Sequence, residues 1–144
     1  MLISGEWFLF PDDIHRPVIR GEVLSATSAW IPVPFLLDTG ADRTVFSAAV
    51  LSELALPLLN AEEPISGLGG VVDSVVLETR IQLVRETGVP VSFRGRFSAV
   101  TGLTTLDISV LGRDITDNFA VIVDRPQDAV FLLGQRHRYR IEQS

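Results

Sequence analysis

The chain of 144 residues contains no cysteine. A disulfide framework, a thiolate metal site and a thiol nucleophile are therefore excluded, and the absence fits a cytoplasmic protein. Positive charge is also scarce, with 12 basic against 18 acidic side chains and a net charge of −6. No basic run interleaves with aromatic residues, so nucleic acid is not an expected partner. No apolar run approaches the length of a bilayer span, so no membrane association is expected. The apolar start, Met1 to Phe10, lacks a basic beginning and carries Glu6, which makes it a poor secretory signal. It reads as an N-terminal strand packed on the core, or as an arm covering a neighbouring subunit. The only histidines are His15 and His137. They show no metal-ligand spacing and read as surface residues, and no metal or cofactor is expected. Gly-x-Ser-x-Gly is absent, which removes the serine-hydrolase elbow. Gly67-Leu68-Gly69-Gly70 has Val72 where a dinucleotide loop needs its third glycine.

What is present is a chain that is 47% hydrophobic and 21% charged, enough for one globular domain with a sizeable core, expected over residues 1–144. Its most informative stretch is Phe35-Leu36-Leu37-Asp38-Thr39-Gly40-Ala41-Asp42. A continuous apolar run bounded by a turn signal suggests a strand buried on both faces. An acid at the end of such a strand places a carboxylate at the rim of a core, where charge needs hydrogen-bond support. Gly40 is suited to a sharp backbone turn and a close approach.

Short β-runs separated by Gly, Pro, Asp and Asn make up most of the chain, predicting a compact, mainly β domain. Strands are expected over residues 18–25, 30–37, 44–46, 75–84, 89–100, 106–111, 119–123 and 130–133, with a last one at 137–142. Pro32 and Pro34 cannot donate to a ladder, so they belong at an edge or bulge. Ser47 reads as the N-cap of a two-turn helix over residues 48–55 with Val50, Leu51, Leu54 and Ala55 on one face and Pro57 as the stop. A short helix is expected over 113–118, and a glycine-rich hairpin tip at Gly67 to Gly70. Leu36-Leu37-Asp38-Thr39-Gly40 and Val110-Leu111-Gly112-Arg113-Asp114 echo one another. Both are apolar strands meeting a glycine turn, and each precedes a helical stretch.

Asp38-Thr39-Gly40-Ala41-Asp42, the Gly67 to Gly70 tip and Val110-Leu111-Gly112-Arg113-Asp114 occur in the order and at about the spacing of the retropepsin-like (retroviral-type) aspartic proteases. The chain resembles that family over residues 18–123, with extensions at both ends. The resemblance implies a small closed β-barrel of the acid-protease type, with one or two short helices and a flap hairpin. It also implies hydrolysis of peptide bonds by two carboxylates sharing one proton around a water. A chain with one D-T-G must obtain the second carboxylate from another copy, which implies a C2 homodimer. Two carboxylates about 4 Å apart repel by about 4 kcal/mol at an effective dielectric of ~20, so the pair titrates as a unit.

By resemblance, Asp38 is the catalytic residue, and Thr39 and Gly40 brace the active-site loops across the axis. Gly40, Ala41 and Asp42 contact the backbone of an extended peptide or protein substrate. Asp42 pairs with Arg113 in a partly buried, bidentate link whose loss costs more than that of a surface pair. Gly67, Leu68, Gly69 and Gly70 form the flap that closes over substrate. The resemblance leaves the ends open: the basic stretch Arg136-His137-Arg138-Tyr139-Arg140 reads as a protected strand edge. A second class of function uses the same fold as a non-catalytic dimerisation or peptide-binding module; a third is an unrelated barrel with an apolar ligand. Ala41 offers no hydroxyl that would favour the charged form of Asp38. Peptide cleavage measured across pH is therefore expected to give a bell-shaped profile with a mildly acidic to near-neutral optimum, and a maximum at strongly acid pH would contradict this.

Overall fold

The computed structural model describes residues 1–59, 65–67, 70–134 and 140–142. The chain opens with strands β1 (Leu2–Ser4) and β2 (Glu6–Leu9). Strands β3 (His15–Leu24) and β4 (Trp30–Leu37) pair antiparallel from Val18↔Leu36 to Leu24↔Trp30. Strand β5 (Val45–Phe46) leads into helix α1 (Ala48–Leu54). A hairpin of β6 (Ile65–Gly67) and β7 (Gly70–Val72) forms a two-stranded sheet of its own. The long strands β8 (Ser74–Val84) and β9 (Pro90–Val100) pair along their whole length. Their turn places Gly88 at φ 85°, in the left-handed region that glycine adopts without a steric penalty. Strand β10 (Ser109–Leu111), helix α2 (Arg113–Thr116), β11 (Ala120–Asp124) and β12 (Ala129–Leu133) complete the order.

Six strands close into a barrel, with neighbours running β3-β4-β10-β5-β9-β8 and β8 returning to β3 through Gly21↔Leu83, Glu22↔Gln82 and Val23↔Ile81. The small closed β-barrel with two short helices expected from the sequence is therefore the observed fold. Strand β2 adds to the outside of β3, and β1, β12 and β11 form a separate three-stranded sheet. The N-terminal run thus docks in its own chain: β1 pairs with β12, and Ile3 is only 1% exposed.

Phe35, Phe46 and Phe97 meet inside the barrel with ring centroids 6.1 and 5.9 Å apart. Leu37, Leu54, Leu77, Leu111 and Ile115 fill the space around them. Each such side chain contributes about 1.5–3 kcal/mol through burial. Strand β10 covers β4 only at Phe35 to Leu37, so Pro32 and Pro34 lie along an open edge, where a missing N–H is tolerated.

Ser47 caps α1, its Oγ accepting from the Val50 N–H at 3.4 Å. The helix ends before Pro57, because Ala55 turns left-handed (φ 51°). Leu54 is buried, Val50 and Leu51 pack against the core, and Ala55 is turned out to solvent. The strand expected over 106–111 begins only at Ser109, after a turn in which Thr105 N–H donates to Gly102 O. The short helix ends at Thr116 rather than 118, since the Asn118 N–H and side-chain amide both donate to Ile115 O. For the expected strand over 137–142, residues 135–139 lie outside the described residues, and 140–142 are not in a strand. Among the described residues, no helix is long and apolar enough to cross a membrane.

Candidate active site

Strands β4 and β10 run parallel and in register, Leu36↔Val110 and Leu37↔Leu111. Both leave the barrel at the same level, one into Asp38 and the other into Gly112. Leu37 and Leu111 are buried in the core, so the next residue on each strand is held at the barrel rim. The Asp38 N–H donates to Leu111 O at 3.3 Å, joining the two strand ends.

Asp38 is half-buried, and its Oδ1 accepts from the Gly40 N–H at 2.9 Å. Its carbonyl accepts from the Ala41 N–H at 3.2 Å. The Gly40 bond supports the carboxylate at the core rim, and the Ala41 bond closes the turn beneath it. Gly40, however, does not adopt a left-handed conformation. Its distinction is space, because a Cβ there would stand 3.2 Å from Asp38 Oδ1.

The second loop is fastened to the first through its backbone. Arg113 N–H donates to Ala41 O at 2.8 Å, and Asp114 N–H donates to Asp42 O at 3.2 Å. A Cβ on Gly112 would come within 2.3 Å of the Arg43 carbonyl carbon, so only glycine permits this approach. Thr44, fully buried, completes the join. Its N–H donates to both Asp114 carboxylate oxygens at 3.0 Å, and its hydroxyl donates to Asp114 Oδ1 at 2.7 Å. The same hydroxyl accepts from the Gly112 N–H at 3.1 Å. Sequence reasoning missed Thr44 and Asp114 as partners. The echo between the two strand–glycine turns held the signal. If the turns pack together, the polar residues after each must satisfy the other's buried groups.

Asp42 and Arg113 do form an ion pair, Nη2 to Oδ1, and the nearby carboxylate raises the Arg113 pKa above its ordinary value. Their side chains are 80% and 49% exposed. The expected partly buried, bidentate link is therefore a single contact in solvent, because both residues lie on the outer side of their loops. Screening by water reduces such a pair to the value of a surface salt bridge.

Thr39 is exposed beside Gly40, and Ala41 is half-buried. Gly67 and Gly70 pair with one another at the end of the β6–β7 hairpin. Leu68 and Gly69, the tip between them, lie outside the described residues, as does His137. The structure thus brings Asp38, Thr39, Gly40, Ala41, Asp42 and Arg113 into one pair of loops, and places Gly67 and Gly70 in a separate two-stranded sheet.

Side chains alternate along a strand, so Leu36 shares a face of β4 with Asp38. On that face a cavity of about 400 Å³ is lined by Phe10, Leu36, Leu106, Ile108 and Val110, with Asp12 and Arg16 also on its wall. Arg16 forks onto Asp12 at 3.0 and 2.7 Å and lies 4.8 Å over the Phe10 ring. Its guanidinium hydrogen bonds hold the Asp12 pKa below the ordinary carboxylate value. The sequence reading assigned no role to these residues, because the pair spans a hairpin that has no distinctive motif.

Residues 25–115, well over half the chain, match the family model described as aspartyl protease. Among curated proteins none is a significant match. Two solved structures are similar in fold. An EIAV protease complexed with the inhibitor HBY-793 is 24% identical, with 71% of this chain and 86% of that chain covered and a TM-score of 0.53. A retropepsin-like aspartic protease from Rickettsia conorii is 18% identical, with 92% and 88% covered and a TM-score of 0.57.

The buried Thr44 join and the exposed Asp42–Arg113 pair should differ sharply in a denaturant titration. Thr44→Val keeps the shape and the backbone bonds to Asp114, but leaves the buried Gly112 N–H without its acceptor and removes the hydroxyl bond to Asp114, an expected loss of about 1–3 kcal/mol. Asp42→Ala should lose much less. A loss from Asp42→Ala that equals or exceeds that from Thr44→Val would overturn the ranking.

Proposed function

The chain belongs to the aspartyl protease family, and from that premise we propose that it is an endopeptidase whose water is activated by two Asp38 carboxylates, one from each subunit of a homodimer. One observation carries this reading. Two paired strands reach the barrel rim side by side, yet only β4 ends in an acid; β10 ends in Gly112. A chain built this way supplies one carboxylate, and the reaction needs two. A second copy related by a twofold axis supplies the other in an equivalent setting.

In this scheme the ionised carboxylate takes a proton from the water as its oxygen attacks the scissile carbonyl carbon. The protonated carboxyl donates its proton to the carbonyl oxygen, giving a tetrahedral diol. Collapse of the diol breaks the C–N bond: the protonated carboxyl gives its proton to the leaving nitrogen, the ionised carboxylate takes one from a diol hydroxyl as the carbonyl re-forms, and the pair returns to sharing one proton. Gly40 N–H keeps Asp38 oriented throughout.

Thr39 lies exposed on the loop, where a brace between subunits must stand. The Gly40 carbonyl, Ala41 and Asp42 line the path of an extended peptide backbone. The hairpin bearing Gly67, Leu68, Gly69 and Gly70 serves as its cover. The cavity on the Asp38 face accepts a substrate side chain, and its lining of Phe10, Leu36, Ile108 and Val110 suits an apolar one.

Asp38→Asn preserves an oxygen for the Gly40 N–H and should leave thermal unfolding nearly unchanged. Cleavage of a peptide library by this variant should fall to background. Cleavage that survives at the wild-type rate would refute the assignment of Asp38.

A further inference from the structure

A sheet closed into a barrel turns alternate side chains inward and outward, and the outward ones are commonly polar. The β8–β9 hairpin follows that rule. Its outer face sets Glu78 opposite Arg96 and Arg80 opposite Arg94, all exposed. The outer face of β2, β3, β4 and β10 does not. Ile19, Phe35 and Leu111 belong to the core, so Val18, Pro34, Leu36 and Val110 point outward. Val18 and Val110 are nonetheless buried, at 1% and 9% exposure. Contiguous apolar surface on the outside of a protein marks a place for a ligand or partner.

A second cavity, of about 310 Å³, opens on this face between Phe8, Phe10, Val18, Pro34 and Ile108. It shares Phe10, Pro11, Asp107 and Ile108 with the cavity on the Asp38 face, so the two adjoin. Pro34 can line it because β10 covers β4 only from Phe35 onward. The aromatic wall is held in place. Phe8 and Phe10 meet edge to face with ring centroids 5.6 Å apart. The Phe10 N–H donates to Ile14 O, and the Asp13 N–H donates to Phe10 O, both at 3.0 Å, which fixes the hairpin carrying the ring. Arg20 lies 5.8 Å over the Phe8 ring and donates to Glu6 Oε1 at 2.8 Å. Arg16, over Phe10, is held in the same way by Asp12. Each of these cations has its own anion, and the surface between the rings is apolar.

We infer that this second cavity binds a further large apolar side chain of the peptide substrate, two residues away from the one held beside Asp38. The inference rests on the protease reading above and names its substrate class, extended peptides in which two large apolar residues are separated by one other. Alternate side chains of an extended chain lie on one side about 7 Å apart, as two adjoining cavities on one face require. The occupant is the substrate because the groove runs into the cavity on the Asp38 face. Phe8 and Phe10 precede the residues that match the aspartyl protease family, so this wall is a feature of the chain's own N-terminal strands.

Digestion of a randomised peptide library by the wild-type chain, read by sequencing the products, should show apolar residues enriched at two positions separated by one. Both should lie on the same side of the cleaved bond. Two peptides that differ only in Phe or Ser at the outer of these positions then isolate the groove. Phe8→Ser and Pro34→Ser, on different strands, should each lower kcat/KM for the Phe peptide about tenfold, mainly through KM. For the Ser peptide the loss should be far smaller. If one variant fails to fold, the other carries the test. Val84→Ser, 43% exposed like Phe8 but on β8, should treat the two peptides as wild type does. Equal losses on both peptides, or a library with only one apolar position, would overturn the groove and leave the Asp38 assignment standing. A wild-type chain that cleaves no peptide overturns both.

Discussion

The parallel pairing of β4 with β10 is the constraint on which the rest depends. Parallel neighbours in one sheet must emerge from it at the same end, so two loops are forced together at the barrel rim. Buried Leu37 and Leu111 set the height at which they emerge. The loops are then joined by two backbone bonds and by the Thr44 hydroxyl, which both donates to Asp114 and accepts from Gly112. A carboxylate placed at the end of β4 inherits this rigidity. Position is what the barrel gives Asp38, and in the proposed mechanism the positioning of reacting groups is a large part of catalysis.

The same architecture underlies the proposal that the site is a half. The two strand ends are structurally alike, but one carries an acid and the other a glycine against the Arg43 backbone. The glycine is there for packing, since no side chain fits. The chain has therefore used its second strand end to hold the first in place, and in the proposed mechanism the second carboxylate comes from another copy. The charged pair Asp42–Arg113, prominent in the sequence, lies in solvent and adds little to this rigidity. The neutral, buried Thr44 contributes more, because an unmade bond inside a protein is more costly than a screened pair on its surface.

Much of this was readable from residue order. The fully apolar Phe35 to Leu37 run demanded burial and delivered Asp38 to a rim. The β-runs over residues 75–84 and 89–100 marked the two longest strands, and Ser47 marked a helix start. The echo around Gly112 foretold the paired strand ends. Other features were not readable, for physical reasons. Thr44 and Asp114 are 70 residues apart, and nothing local to either shows that they meet. The exposure of Asp42 and Arg113 depends on which side of a loop they occupy, which residue order does not encode. An apolar N-terminus tells of burial but not of partner, and β1 found β12 in its own chain.

The central claim, that catalysis needs one carboxylate from each of two chains, is tested most directly by mixing subunits. Wild type and Asp38→Asn are combined in equal amounts at a concentration where both are dimeric, allowed to exchange, and assayed for peptide cleavage at fixed total protein. Random pairing leaves about one quarter of the dimers with two aspartates, so activity should fall to about a quarter of that of wild type alone. A fall to only one half would mean that each chain works alone, and would contradict the account.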